Sequence, residues 1–316
     1  MTTDGARQHV FGPVPSHRLG RSLGVDLVPP KTCCYDCLYC QLGRTTCKTV
    51  ERREWVSPDE VMRQLDGRLA SRPDFITFSG SGEPTLHSRL GRLIQGVKLR
   101  TSIPVAVLTN GALLRWLEVR LDLAAADVVI PSLDAGDDRT FQAVNRPHES
   151  IRFEDMLEGL VRFRREYAGR LWLEVFLLAR YTSEGPALDR IIDAVRSINP
   201  DRVDLNTVSR PPAEDLAVAV PRERLRELAA AFDPPARVVA DLPVPDPTGR
   251  SAPHCQSVLN LLLRRPCTVE DIAAGLDLHI NEVLKCLQQL QDAGRVARTA
   301  SGGRTFYRAH PANTDA

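Results

Sequence analysis

The chain reads Lys31-Thr32-Cys33-Cys34-Tyr35-Asp36-Cys37-Leu38-Tyr39-Cys40-Gln41-Leu42-Gly43 across its most informative stretch, which puts four cysteines into eight positions. Cys33, Cys37 and Cys40 have the spacing C-x3-C-x2-C, which lets one loop wrap three thiolates around one corner of an inorganic cluster. A cubane [4Fe–4S] cluster has four irons, which four thiolates normally hold. Three nearby ligands leave one iron open to a small chelating molecule. The spacing therefore predicts a reaction centre as well as a metal site.

The other cysteines fall into two groups. Cys34 is adjacent to a predicted ligand and Cys47 lies near the loop, so each stays an alternative cluster ligand. With Cys47 as a fourth ligand, a structural zinc site is the alternative to the cluster. Cys255, Cys267 and Cys286 lie far downstream among apolar residues. We expect these three to be buried, reduced and inert thiols.

The composition is that of a soluble globular protein. The 316 residues suffice for one large domain and a small one, and the net charge of +1 gives no bulk attraction to nucleic acid or to a membrane. No apolar run approaches the roughly 18 residues that span a bilayer. Residues 1–7 lack the apolar region of a signal peptide. We therefore predict a cytoplasmic protein with no membrane partner.

Short apolar strands alternate with helices between about residues 20 and 210. Ser57, followed by Pro58 and Glu60, predicts a capped start for the first helix. This alternation implies right-handed βαβ units, and hence an α/β fold with a partial (β/α)6 barrel of parallel strands. The predicted strands lie near residues 23–28, 75–78, 105–108, 128–134, 172–178 and 202–208, and the helices near 57–70, 88–100, 114–123, 137–144, 153–167 and 186–197.

Polar residues follow the ends of several predicted strands. The segment Gly80-Ser81-Gly82-Glu83 follows the second strand, Asn110 follows the third, and Ser132 and Asp134 end the fourth. In parallel sheets of this kind, ligands bind at the carboxyl ends of the strands. We therefore expect these residues to surround one mouth together with the cysteine loop.

The composition changes after residue 210. Six prolines fall between residues 234 and 253, which favours extended, semi-rigid chain over a packed element. Residues 254–310 then regain the pattern of three helices, with the third near 280–293, and a β-hairpin, an order typical of a winged helix. We therefore divide the chain into a barrel domain at 1–210, a proline-rich extension and linker at 211–253 with one helix near 221–232, a winged helix-turn-helix at 254–310 and a tail at 311–316.

The predicted winged helix has three candidate roles. Winged helices commonly bind DNA, and they also present peptides or partner proteins. Residues 254–316 carry seven basic and six acidic side chains, so phosphate neutralisation is supported only locally. Nucleic-acid binding, peptide or protein docking, and a structural lid all stay open.

The loop of Cys33, Cys37 and Cys40, with Tyr39 before the last cysteine and a predicted strand before the loop, resembles the radical S-adenosylmethionine (radical SAM) superfamily. The resemblance implies that the open iron binds the amino and carboxylate groups of S-adenosylmethionine. One electron from the cluster then cleaves the sulfonium, and the 5′-deoxyadenosyl radical takes a hydrogen atom from a substrate. It also implies an electron donor of the flavodoxin or ferredoxin type and sensitivity to oxygen.

The strand-end residues extend the resemblance over about residues 10–210. Gly80-Ser81-Gly82-Glu83 resembles the glycine–glutamate motif that engages the methionine amino group, although Ser81 replaces a second adjacent glycine. Ser132-Leu133-Asp134 resembles the ribose-contacting segment, with a cap for the next helix as the alternative role of Asp134. Asn110 is expected either to contact the cofactor or to satisfy a turn.

Longer phrases resemble one group within the superfamily. The segments at 39–43, 79–86, 108–111, 131–135 and 145–148 look like wyosine-base synthases of tRNA, and some like molybdenum-cofactor cyclases. The resemblance does not carry their substrates over, and no clear counterpart of the wyosine enzymes' substrate-binding lysine is present. Modification of RNA (tRNA), modification of a peptide or protein, and activation of a partner enzyme all stay open. The alternative function is a redox-sensing, DNA-binding regulator with an Fe–S switch, which would have no need for the motifs at 80–83 and 132–134.

Overall fold

The computed structural model describes residues 9–209, 212–242, 255–276, 278, 283, 286–287, 290–291, 293–301 and 304–310. Strands and helices alternate over most of these residues. The strands are β1 (Val10–Ser16), β2 (Gly20–Val25), β3 (Thr32–Cys33), β4 (Cys47–Lys48), β5 (Phe75–Phe78), β6 (Val105–Thr109), β7 (Val128–Pro131), β8 (Arg170–Phe176), β9 (Arg202–Asn206), β10 (Arg237–Val238), β11 (Val296–Ser301) and β12 (Arg304–Ala309). The helices are α1 (Pro58–Asp66), α2 (Leu90–Arg100), α3 (Leu117–Leu123), α4 (Asp138–Val144), α5 (Phe153–Glu166), α6 (Gly185–Ile198), α7 (Arg222–Ala229), α8 (Cys255–Arg264) and α9 (Val269–Leu276).

An eight-stranded sheet carries the fold, in the order β1-β2-β5-β6-β7-β8-β9-β10. β1 runs antiparallel to β2, and every other neighbouring pair is parallel. The six predicted strands correspond to β2 and to β5 through β9. The prediction of an α/β fold with a parallel partial barrel is therefore confirmed.

Helices cover the sheet because each has one apolar stripe. In α6 the buried residues Leu188, Ile191, Ile192, Val195 and Ile198 recur at the three- and four-residue spacing of one helix face. They join the main core with the buried residues of the strands. This packing places the loops after the parallel strands together at one edge of the sheet.

Two local predictions for this part need correction. β1 was not predicted, because its Gly12-Pro13 and Pro15 resemble an irregular segment. Its pairing with β2 supplies the order that the local sequence does not indicate. The start of α1 is only partly as predicted: Ser57 is the N-cap residue and Pro58 begins the helix, but the Ser57 side chain makes no capping hydrogen bond, and Glu60 accepts from Gln64 Nε2 at 2.7 Å.

The proline-rich segment contains packed structure. β10 pairs in parallel with β9, and α7 contributes Leu225 and Leu228 to the main core. The expectation of extended linker is therefore wrong for residues 237–241, where a strand and a 3-10 turn are found. Residues 243–254 lie outside the described part, and the domain boundaries stay a prediction.

The C-terminal region contains α8, α9 and the antiparallel pair β11–β12. The predicted third helix lies mostly on residues outside the described part, so the winged helix stays a prediction. Cys255 and Cys286 are joined by a disulfide, so the expectation of two reduced thiols is wrong there. Cys267 is a buried thiol, as predicted. The two positions are 31 residues apart, and only the fold shows that they meet.

Among the described residues, no helix is both long and apolar enough to cross a membrane. The cytoplasmic location stays a prediction.

Candidate active site

A cavity of about 440 Å³ lies at the carboxyl ends of the parallel strands. Its wall combines the cysteine loop with the residues that follow β5, β6 and β7. Nearly all the predicted site residues therefore meet in one place. Those on its wall are Cys33, Cys37, Cys40, Gly80, Ser81, Gly82, Glu83, Asn110 and Ser132.

Backbone hydrogen bonds hold the start of the cysteine loop against residues 80–83. The amide of Lys31 donates to Ser81 O at 2.6 Å, and the amide of Glu83 donates to Thr32 O at 3.1 Å. A Cβ on Gly82 would lie 1.9 Å from the carbonyl oxygen of Thr32. Glycine is therefore required at position 82, because any side chain would push the two segments apart.

Amide groups lie beside two of the cysteine sulfurs. Asn110 Nδ2 lies 3.5 Å from Cys33 Sγ, and Asn145 Nδ2 lies 3.5 Å from Cys37 Sγ. Burial raises the pKa of Cys37 well above its ordinary value and that of Cys40 to about 11. Without a metal, both side chains are therefore neutral thiols at neutral pH. A bound cation reverses this balance, because coordinated thiols are deprotonated.

The donor set fits an iron–sulfur cluster. Three thiols from one loop face one cavity, and amide donors near cluster sulfurs are among the groups that tune such clusters. In the part of the chain that the structure describes, no three His, Cys, Asp or Glu side chains are grouped to hold a single metal ion. In a cubane, by contrast, each thiolate binds a different iron, so its ligands need not meet at one point.

The two alternative ligands do not face the cavity. Cys34 is fully buried, and its Sγ lies 3.2 Å from Asn110 Nδ2. Cys47 is exposed on β4. Neither belongs to the cavity wall, which agrees with the assignment of Cys33, Cys37 and Cys40 as the proposed ligands.

Glu83 is a buried carboxylate with several donors. Oε1 accepts from the Thr85 hydroxyl at 2.6 Å and from the Thr109 hydroxyl at 2.7 Å, while Oε2 accepts from the Asn110 amide at 2.8 Å. Burial nevertheless raises the pKa of Glu83. A cationic ligand in the cavity would offset that desolvation, which is the expected effect of a bound ammonium group.

Asp134 lies behind the cavity wall and not on it. Its carboxylate accepts from the Tyr39 hydroxyl and, at 2.7 Å, from Asn145 Nδ2. Burial raises the pKa of Asp134 to about 6. Asp134 is also not the cap of the next helix, because Asp137 performs that role through the Thr140 amide. Ser132 does line the cavity.

Tyr39 connects the cysteine loop to the sheet. Its ring stacks on Phe176 with centroids 3.9 Å apart, and its hydroxyl bonds to Asp134. The stretch 33–40 therefore rests on the ends of two strands. The local sequence singles out Tyr39, because it directly precedes Cys40. It does not indicate that Phe176 of β8 is the residue on which Tyr39 stacks.

Charged side chains also line the cavity. Arg18 pairs with Glu174, and Asn206 Nδ2 donates to Glu174 Oε1 at 3.0 Å. Burial lowers the pKa of Arg18 to about 10, still high enough for a cation at neutral pH. Arg264 and Arg265, from the C-terminal region, also line the cavity. Sequence reasoning missed both, because no local pattern connects them with the barrel.

The fold and the cavity define a class of protein. The family profile described as the radical SAM superfamily matches residues 27–184, half of the chain. This protein therefore belongs to the radical SAM superfamily, a class of enzymes that use a [4Fe–4S] cluster and S-adenosylmethionine.

Curated relatives are similar over most of the chain. A UPF0026 protein of Helicobacter pylori is 33% identical over 94% of this chain and 96% of its own length. The UPF0026 protein MJ1312 of Methanocaldococcus jannaschii is 37% identical over 71% of this chain and 70% of its own. A protein of Brachyspira hyodysenteriae named GTPase Obg is 40% identical over 95% of this chain, which spans only 45% of that relative's length.

Solved structures share the fold. A radical SAM methyltransferase from Sphaerobacter thermophilus superimposes with a TM-score of 0.52 at 17% identity, over 69% of this chain and 65% of its own. An FeFe-hydrogenase maturase from Carboxydothermus hydrogenoformans has a TM-score of 0.51 at 13% identity, over 86% of this chain and 66% of its own. At these identities the likeness extends to the fold alone.

Proposed function

We propose that this protein reductively cleaves S-adenosylmethionine at a [4Fe–4S] cluster held by Cys33, Cys37 and Cys40. When bound, the cluster and the cofactor supply a 5′-deoxyadenosyl radical that abstracts hydrogen from a substrate. The observation that carries the proposal is the meeting of three cysteines with residues 80–83 on one cavity wall.

The proposal gives the other wall residues defined roles. Glu83 binds the methionine ammonium, with the backbone of residues 80–82 beside it. Asn110 and Ser132 contact the rest of the cofactor, because both line the same cavity. Asp134 acts indirectly, since its carboxylate holds Tyr39 of the cysteine loop.

The test is release of 5′-deoxyadenosine by the anaerobically reconstituted protein. The wild type is reduced chemically or by a flavodoxin, supplied with S-adenosylmethionine, and assayed for the nucleoside by chromatography. We expect Cys37→Ser to lose cluster iron and the product together. The matched control is Cys47→Ser, which removes an exposed cysteine outside the cavity and should keep both. A wild type that holds its cluster but never cleaves the cofactor would refute the proposal.

The substrate and partners are proposed only by class. A flavodoxin- or ferredoxin-type protein supplies the electron, and the C-terminal region is the candidate contact for an RNA or peptide substrate. A probable GTP 3′,8-cyclase of Thermoplasma volcanium is 29% identical, over 36% of this chain, too little to transfer its reaction. We do not propose GTP hydrolysis, because the sequence lacks the G-x4-G-K-S/T loop that binds nucleotide phosphates. The comparisons do not support the redox-sensing regulator.

A further inference from the structure

Ser81 occupies the position at which the superfamily motif has a second glycine, and its hydroxyl has a specific partner. Ser81 Oγ donates to Asp26 Oδ2 at 2.6 Å, and the Ser81 amide donates to Asp26 Oδ1 at 3.1 Å. Asp26 follows β2 and is only 1% exposed. One buried carboxylate therefore fixes both the backbone and the side chain of residue 81.

The C-terminal region supplies the cation for that carboxylate. Arg264, at the end of α8, pairs through Nη1 with Asp26 Oδ2, and the same nitrogen lies 3.3 Å from Ser81 Oγ. Both charged side chains are buried. Because a buried carboxylate without a counter-ion is costly, the ion pair with Arg264 stabilises Asp26 in this position.

Packing determines where Arg264 lies. The Phe11 ring of β1 belongs to the C-terminal core with Val258 and Leu262 of α8. The Arg264 guanidinium lies over that ring, 5.1 Å from its centroid. The guanidinium is thus held between an aromatic ring and the Asp26 carboxylate, which leaves it little freedom to move.

The backbone of residues 80–83 is in close contact with Asp26, so the two are expected to move together. A Cβ on Gly80 would lie 2.6 Å from Asp26 Cγ, so the backbone there rests directly on the carboxyl group. The carbonyl of Ser81 in turn accepts from the Lys31 amide at the start of the cysteine loop. A shift of Asp26 therefore moves the segment that carries Glu83.

We propose that Arg264 is a positioning residue for the S-adenosylmethionine site, acting through Asp26 and Ser81 on the methionine-binding segment 80–83. The inference rests on the proposed function, and it assigns the C-terminal region a part in cofactor binding.

The experiment compares Arg264→Ala and Arg264→Lys with wild type in the full-length, anaerobically reconstituted protein. The KM for S-adenosylmethionine and the kcat for 5′-deoxyadenosine release are measured with dithionite as the reductant. We expect Arg264→Ala to raise KM about tenfold. This increase corresponds to the low end of the free-energy cost of losing a hydrogen bond to a charged group. The kcat should stay within about twofold, because the lost interaction stabilises the ground state and the transition state equally.

Spectroscopy separates this role from a structural one. The electron paramagnetic resonance signal of the reduced cluster without cofactor should match wild type in both variants. Titration with S-adenosylmethionine should require about tenfold more cofactor for Arg264→Ala and an intermediate amount for Arg264→Lys, which keeps the charge but not the planar fork. The matched control is Arg298→Ala, which removes an exposed arginine of β11 and should titrate as wild type.

A double-mutant cycle tests the path through Ser81. Ser81→Ala should also raise KM. The double variant Ser81→Ala with Arg264→Ala should have a KM no higher than that of the weaker-binding single variant. Multiplicative effects would overturn the proposed path, as would a wild-type KM in Arg264→Ala. If Arg264→Ala does not fold, wild-type KM values in both Arg264→Lys and Ser81→Ala overturn it.

Failure of the inference differs from failure of the proposed function. A wild type that binds and cleaves the cofactor while the Arg264 variants match it overturns the inference alone. A wild type whose cluster signal never responds to S-adenosylmethionine overturns both.

Discussion

Gly82 lies at the closest approach between the cysteine loop and the segment that carries Glu83. Gly82→Ala would place a methyl group 1.9 Å from Thr32 O and 2.8 Å from Val28 Cγ2. We expect a loss of stability of about 1–3 kcal/mol from overpacking, together with loss of cluster iron, because Thr32 adjoins Cys33. Thermal unfolding and iron content measure the two effects.

Gly67→Ala is the matched control, because Gly67 has φ of −68° and the nearest atom to a new Cβ, the carbonyl oxygen of Gln64, is 3.6 Å away. It should stay within about 1 kcal/mol of wild type. Equal iron content and unfolding temperature in both variants would show that the close approach at Gly82 is unimportant.

Asp134 makes stability depend on pH. In the folded protein Asp134 stays protonated up to about pH 6, because burial raises its pKa to about 6. In the unfolded protein the exposed Asp134 side chain loses its proton near pH ~4. The free energy of unfolding should therefore fall as pH rises through this window, by at most about 3 kcal/mol. Asp134→Asn should lack this component. Urea unfolding of the metal-free protein from pH 4.5 to 7.5 measures the difference, and identical pH dependence in both proteins would contradict it.

Residues that follow a strand were predictable as site residues, and their distant partners were not. Asn110 and Glu83 lie at strand ends, where the βαβ pattern alone brings them to one edge of the sheet. Arg264 lies 238 positions from Asp26, and only the three-dimensional packing of β1 against α8 brings it there. Asp134 lies behind the cavity wall, and its strand-end position does not reveal that Tyr39 and Asn145 are hydrogen-bonded to its carboxylate.

Among the elements, strands with strong apolar runs were predicted well, whereas β1, which contains Gly12, Pro13 and Pro15, and the two-residue β10 were missed. β5 and β6 are short runs of buried residues, so their local sequence suffices. β1 and β10 exist because neighbouring strands pair with them. Arg237 of β10 also donates to Asp204 of β9 at 3.0 Å, a contact that no local periodicity encodes.

The packing of α7 gives a test of its place in the fold. Leu225 is 1% exposed and belongs to the main core, so Leu225→Ala should lower the free energy of unfolding by about 2–5 kcal/mol. Leu216→Ala, at a leucine that is 60% exposed, should change it by no more than about 0.5 kcal/mol. Denaturant titration gives both values. Equal, small effects would mean that residues 211–242 behave as the linker that the prolines suggest.

At the scale of the whole molecule, two hydrophobic cores meet at β1. The larger core lies between the sheet and its helices, and the smaller one joins α8 and α9 with β11 and β12. Phe11 belongs to the smaller core although it lies on a strand of the barrel sheet, and its ring covers Gly24, where a Cβ would lie 2.3 Å from it. Phe11 and the Arg264–Asp26 ion pair are thus two of the contacts between the C-terminal region and the barrel, beside the hydrogen bond from Arg308 Nη2 to Leu42 O.

Phe11→Ala should disturb both stability and the cofactor site. Loss of the buried ring is expected to cost about 3–5 kcal/mol, and α8 loses the surface that holds Arg264 against Asp26. The unfolding temperature should therefore fall, and the KM for S-adenosylmethionine should rise in the same direction as in Arg264→Ala. The control is Leu263→Ala, since Leu263 lies beside Arg264 but is 48% exposed and should leave KM unchanged. A Phe11→Ala protein that is less stable but keeps the wild-type KM would show that the two cores meet without any effect on the site.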